Sequence, residues 1–242
     1  MRMARGNKFA QLTYLPKVFP VNCYLVEEED GLTLVDAALP NNANAIMQAA
    51  EQIGAPIKRI FLTHAHDDHV GALDKLKSMN PDIMVYISAR DARLLAGDVT
   101  LDEGEPNTRI RGGVPKSVKT RPDVLLKDGD RIGSLRAISA AGHTPGSMAF
   151  LDERTGLLLA GDAFHTRGGV TVTSRLKWSF PFPSLATWNA EESIATAKRL
   201  AKLEPTILAA GHGNLVEQPV QAMNAAIADA ERAWNRKKES FV

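Results

Sequence analysis

Cysteine occurs once, at Cys23, in 242 residues, so the chain can form no intramolecular disulfide and no thiolate-based zinc knuckle. That excludes a disulfide-stapled secreted scaffold and suits a reducing cytoplasm, the expected location. No apolar run approaches the length that spans a bilayer. The N-terminal stretch MRMARGNKFAQLTYLP carries positive charge without the apolar core and cleavage signal of a leader. The expectation is a soluble, unprocessed chain with no membrane partner. An excess of one charge is lacking too: 29 Lys and Arg stand against 28 Asp and Glu, a net of +1. No basic block awaits a phosphate backbone, so no nucleic-acid partner is expected and a small-molecule substrate is. Also missing are a G-x-S-x-G elbow, which argues against a serine hydrolase, and any low-complexity tract or fixed-period repeat.

What is present alternates between strand and helix signals. NCYLVEEEDGLTLVDAAL, with Asp30-Gly31 between two apolar runs, predicts a hairpin. NNANAIMQAAEQIGAP predicts a helix stopped by Gly54 and Pro56, and KRIFLT a short buried strand. Val70, Leu73, Leu76 and Met79 recur every three residues, as on the buried stripe of a helix. Residues 97–123 are polar, rich in Gly and Pro and without period, which predicts a long loop. Three further strands fall in LRAISAAGHTPGSMAFLDERTGLLLAGDAF, a helix with a capping box from Asn189 and Glu192 follows, and ILAAGHG is a last strand. GLTLVDAAL and GLLLAGDAF echo one another, glycine, apolar strand, aspartate, alanine.

The chemistry concentrates at strand ends. FLTHAHDDHVGAL, residues 61–73, holds three histidines and two aspartates, side chains that are costly to bury unless paired or metal-bound. His64 and His66 are separated by one residue, so on an extended segment both point to one side, as two ligands of one ion must. Asp68 and His69 sit where a helix begins and can face a second ion. His143 in AGHTPG, Asp162 in LAGDAF and His212 in AAGHGN each follow an apolar strand beside glycine. Imidazole and carboxylate without thiolate suit zinc, and manganese, iron or cobalt use the same groups.

In this order and spacing, HAHDDH, AGHTPG, GDAF and GHG resemble the metallo-β-lactamase-fold hydrolase superfamily, close to its glyoxalase II-like and lactonase-like branches. The resemblance implies an α/β protein, a four-layer αββα sandwich of two mixed sheets flanked by helices, as one domain over residues 1–242. It implies two divalent metal ions, zinc first and iron or manganese as alternatives. His64, His66 and His143 would hold the first, Asp68, His69 and His212 the second, with Asp162 bridging. Asp36, in TLVDAAL, matches a structural aspartate near the site, or else is a strand-end turn residue. Departures narrow the branch. Antibiotic-hydrolysing members commonly carry cysteine where this chain has Asp162; flavodiiron proteins usually have glutamate at the position of His66; and about thirty residues after His212 leave no room for a full glyoxalase II helical domain.

The expected reaction is hydrolysis of a carboxylic ester, lactone or thioester by a water that two metals lower toward neutral pKa, with Asp68 as proton shuttle. A phosphodiesterase or RNase of the same fold and an iron-dependent sulfur dioxygenase are the alternatives. Trp178, Phe180, Phe182 and Trp188 are candidates for the mouth of the site, or else for core or homodimer contacts. His165, three residues past Asp162, matches a position where related lactonases place a tyrosine that reaches the substrate carbonyl, and is therefore a candidate catalytic donor.

Overall fold

The structure is a computed structural model and describes residues 1–239. The first sheet runs in simple order through β1 (Arg2–Gly6), β2 (Phe9–Tyr14), β3 (Val21–Glu28), β4 (Gly31–Val35), β5 (Ile57–Phe61), β6 (Met84–Ser88) and β7 (Val124–Leu126). Its first four strands pair antiparallel, and β4 to β7 pair parallel. The crossovers carry α1 (Ala43–Ile53), the single turn α2 (Asp67–Val70), α3 (Leu73–Met79) and α4 (Ala89–Leu95). The second sheet contains β8 (Arg131–Ile132), β9 (Leu135–Ser139), β10 (Met148–Asp152) and β11 (Leu157–Gly161). A short ribbon of β12 (Phe164–His165) and β13 (Thr171–Val172) follows, then α5 (Phe182–Ala186) and α6 (Ala190–Ala201). The chain returns to the second sheet as β14 (Ile207–Ala210), parallel to β11, and β15 (Val216–Glu217), and closes with α7 (Val220–Glu239).

Both faces of both sheets are covered, so the strands read as nearly continuous apolar runs whose alternate side chains enter different layers. In β3, Cys23 and Leu25 pack toward α1, α3 and α4, while Tyr24 and Val26 face the other sheet. In β10, Ala149 and Leu151 face α6 and α7, and Met148 and Phe150 face inward. Three apolar layers result, the middle one joining Phe61 and Tyr86 to Phe150. This is the expected αββα sandwich of two mixed sheets. The predicted hairpin is β3–β4, paired Glu28 to Gly31, and residues 97–123 contain no helix or strand.

Two predicted elements differ. The helix expected to run through Val70 and Met79 is two pieces: the N–H groups of Gly71 and Ala72 turn to the carbonyls of Ala38 and Ala37, and Met79 emerges exposed while Val70, Leu73 and Leu76 are buried. The capping box is half made. The Asn189 side chain accepts from the Glu192 N–H, but the Asn189 N–H goes to the Gly142 carbonyl.

Candidate metal centre

At one edge of the sandwich the strand ends of both sheets converge. Backbone seams fasten them there: Asn22 Nδ2 donates to the carbonyls of Ala210 and Gly213, the Tyr24 hydroxyl to that of Ala210, and the Met148 N–H to that of Thr63. From the first sheet come His64 just past β5, His66 capping α2, and Asp68 and His69 within it. The second supplies His143 after β9, Asp162 after β11 and His212 after β14. Their candidate ligand atoms fall into three groups, His64–His66–His143, His64–His69–Asp162 and Asp68–His69–His212, with all atoms of a group within 4.8 Å of one another. Every group draws on both sheets.

Five imidazoles are oriented by what their outer nitrogens donate to. His212 Nδ1 lies 2.7 Å from the Pro20 carbonyl, and His66 Nε2 2.9 Å from that of Arg111. His69 Nδ1 is 2.7 Å from Asp36 Oδ2. The Thr187 hydroxyl donates to Pro183 O and so accepts from His143 Nδ1 at 3.0 Å. The Thr63 hydroxyl donates to Asp36 and so accepts from His64 Nδ1 at 3.0 Å. These partners assign the tautomers. Each ring then turns a bare lone pair inward: Nε2 of His64, His69, His143 and His212, and Nδ1 of His66. His64 Nε2, His69 Nε2 and Asp162 Oδ1 are buried with no protein partner, and His66 Nδ1 faces His143 Nε2 at 3.0 Å. Buried lone pairs pointed at one another repel unless a cation lies among them. The donor set therefore fits divalent ions of the kind that imidazole and carboxylate hold.

Asp162 sits in the middle, 3.4 Å from His143 Nε2, 3.5 Å from His69 Nε2 and 3.2 Å from His212 Nε2. Burial alone would raise its pKa, but His212, His69 and His143 hold it well below the carboxylate range. Burial lowers His64 and His66 and takes His143 down to about 3. For His69 and His212 burial acts in the same sense, yet the carboxylates beside them overcome it, Asp36, Asp162 and Asp68 lifting His69 to about 10 and Asp162 and Asp68 raising His212. These two inner nitrogens therefore draw a positive charge, a proton or a metal ion in its place. Gly211 allows this crowding, since a Cβ there would lie 2.2 Å from Asp162 Oδ1 and 2.6 Å from His69 Cε1.

Asp36 is both of its expected things: a strand-end residue with φ 62° and the carboxylate that accepts from the Thr63 N–H and holds His69. Sequence reasoning missed Asp91. Fully buried, it accepts from the Ala65 N–H, the Thr144 hydroxyl and the Gly146 N–H, tying the HAHDDH loop to the AGHTPG loop. Also missed was the strap over His66. Gly112, at φ +90°, passes so close that a Cβ would lie 2.3 Å from His66 Nε2, and the Gly113 carbonyl accepts from Asp67 N–H.

A cavity of about 430 Å³ opens above the cluster. His66, Asp68, His143, Asp162 and His212 form its floor; Phe19, Leu39, Pro40, Phe182, Pro183 and Leu185 give an apolar rim. Of the four aromatics proposed for the mouth only Phe182 is there. Phe180 is buried against Phe19 and His212, Trp188 is buried with its indole N–H on the Thr108 carbonyl, and Trp178 is 85% exposed. His165, expected to face the substrate, is not among the residues that line this cavity. It is buried outside the cavity wall, its ring edge-on to Phe180 at 5.5 Å, and burial lowers its pKa to about 4.

Two mixed sheets that meet at an edge of inward-turned lone pairs define a metal-ligating αββα-sandwich protein. A model of the metallo-beta-lactamase superfamily matches residues 16–212, and the chain belongs to that superfamily. It is 53% identical over 232 residues to YobT of Bacillus subtilis, an uncharacterized protein, covering 96% of this chain and 100% of that one. With YflN of the same organism, a probable metallo-hydrolase, it shares 28% identity over 88% of each chain. Among solved structures, TTHA1623 in a di-iron-bound form matches 88% of this chain and 96% of its own with a TM-score of 0.65 at 27% identity. Among the described residues no helix is long and apolar enough to cross a membrane.

Proposed function

We propose that the protein is a dinuclear metal-dependent hydrolase of carboxylic esters, lactones or thioesters of small molecules. The observation that carries this reading is the set of five imidazoles whose lone pairs are turned inward by protein partners, around a central carboxylate. His64, His66 and His143 would hold one ion, Asp68, His69 and His212 the other, and Asp162, within reach of both groups, would bridge. When bound, the ions supply Lewis acidity toward a carbonyl oxygen and activation of water near neutral pH. The chain's own residues do the rest. The apolar rim binds an acyl or ring group and excludes water. Asp68 would take a proton from the attacking water and return it to the leaving oxygen or sulfur, a role supported by its partly exposed side chain, with one oxygen 3.5 Å from His212 Nε2.

Among the described residues the cavity wall contains no lysine or arginine, which favours an uncharged carbonyl substrate over a phosphodiester. Zinc is the proposed metal, and the di-iron form of TTHA1623 supports iron as the second candidate. Because each ligand group takes residues from both sheets, we read the chain as one domain, and its lone free cysteine, Cys23, supports a reducing cytoplasm as its place of action. Elemental analysis of protein purified without added metal tests the site, with about two ions per chain expected and clear loss in Asp162→Ala. A panel of p-nitrophenyl esters, lactones, thioesters and bis(p-nitrophenyl) phosphate tests the substrate class. Faster cleavage of the phosphodiester than of every carboxylic substrate would overturn it.

A further inference from the structure

Behind the catalytic cavity lies a second one of about 430 Å³. Helix α5 and the 108–113 segment divide the two: Leu185 lines both, while Gly112 lines the first and Arg111 the second. The chemistry of the walls is opposite. Around the candidate metal ligands the carboxylates Asp67, Asp68 and Asp162 line the first cavity; the second is lined by Arg111, Arg175 and Lys237 and by no Asp or Glu among the described residues. Arg175 is engaged with Asp229, whereas Arg111, exposed at the cavity's edge, has no side-chain hydrogen bond or ion pair among the described residues and is free to meet a ligand's charge. Two more wall residues carry polar atoms without partners. Ser174 Oγ and Trp234 Nε1 are both buried and unbonded, each a donor whose burial is costly unless something accepts from it. The remaining wall is apolar, with Trp188, Trp234, Leu176 and Ile194.

We infer that this cavity is a second ligand site, for a small amphiphilic carboxylate whose apolar body packs on Trp188 and Trp234 and whose anionic head accepts from Arg111, Ser174 and Trp234. A carboxylate satisfies what the wall lacks, since it offers several acceptor lone pairs and a charge for the unpaired guanidinium. The site also adjoins the metal centre. Thr187, in its wall, accepts from His143 Nδ1, and Arg111 presents its carbonyl to His66. An acid of this kind is what the proposed hydrolysis releases. On that reading, the occupant is the enzyme's own product or a separate carboxylate of the same chemistry.

Octanoate is the probe, with octanamide as its uncharged counterpart, titrated calorimetrically into the metal-replete full chain. Octanoate is expected to bind about tenfold or more tightly than octanamide, and to weaken by a similar factor in Ser174→Ala and in Trp234→Phe, as one lost hydrogen bond to a charged group implies. Ala233→Phe, which fills the cavity without removing a donor, should also abolish binding, and thermal melts confirm that each variant folds. Equal affinity in wild type and all three variants would place the probe on the metals and overturn the site. So would absence of binding up to about 10 mM. Octanoate inhibition of ester hydrolysis that vanishes in Ser174→Ala identifies the occupant as product; binding that leaves the rate unaltered identifies an independent carboxylate, and both support the site. Absence of any carboxylic ester hydrolysis with octanoate binding intact would refute the proposed function and leave this site standing.

Discussion

Asp91 shows how a carboxylate that touches no candidate ligand atom can still govern the site. Burial pushes its pKa up to about 6, against three donors that favour the anion. An ordinary aspartate, as in the unfolded chain, titrates near 4, so the folded chain holds an extra proton between about pH 4 and 6. Stability from this group is therefore fully present below about pH 4 and lost as the pH rises through about 6. Asp91→Asn abolishes that dependence and points an amide NH₂ at an N–H or O–H donor, at a cost of about 1–3 kcal/mol. Urea unfolding should show a wider stability gap between wild type and Asp91→Asn at about pH 4 than at about pH 7; an equal gap would contradict the assignment. Gly112 gives a second case. Gly112→Ala must displace His66 or the strap, and metal affinity in a chelator competition should fall about 10- to 100-fold with circular dichroism unchanged. All the candidate ligands were legible in the sequence, because their residue types are rare and crowd into strand ends. Asp91, Thr187 and the Arg111 carbonyl were not. The groups they hold at the site lie 26 to 55 residues away from them, and a backbone carbonyl carries no residue signature.

At the scale of elements, the apolar periodicity located most strands and helices but could not see competition for backbone hydrogen bonds. Gly71 and Ala72 fall inside the stretch that Val70, Leu73, Leu76 and Met79 mark as helical, yet the strand-end loop at Ala37 and Ala38 takes their N–H groups, which turns the stripe and leaves Met79 in solvent. The same competition halves the capping box at Asn189, whose N–H is spent on Gly142. Asn189→Ala should still cost about 1 kcal/mol, the value of the surviving side-chain cap, read as a lower urea midpoint with an unchanged slope. Helix α5 bears on turnover. Phe182 contributes exposed aromatic surface at the cavity rim, so Phe182→Ala should raise KM for acyl esters by about tenfold, the transfer energy of a partly buried ring, with kcat nearly unaltered. A fall in kcat at constant KM would instead give α5 a part in the chemical step.

Across the whole molecule, the sequence echo of GLTLVDAAL and GLLLAGDAF corresponds to a shared topology. Strand β4 closes an antiparallel hairpin, is followed directly by Asp36 and runs parallel to β5, which leads to His64; β11 closes another, is followed directly by Asp162 and runs parallel to β14, which leads to His212. Periodicity could show that both were strands, but only the long-range parallel pairing reveals that each half delivers one edge of the same site. Every ligand group takes members from both edges, so an ion held there is a rivet through the seam between the sheets, and its binding energy counts as cohesion of the entire sandwich. At a thousandfold excess over its dissociation constant a ligand of the folded state alone adds about 4 kcal/mol. A chelator should therefore act on this protein as a denaturant does, lowering the melting temperature by many degrees and loosening first the edge where the two sheets are pinned.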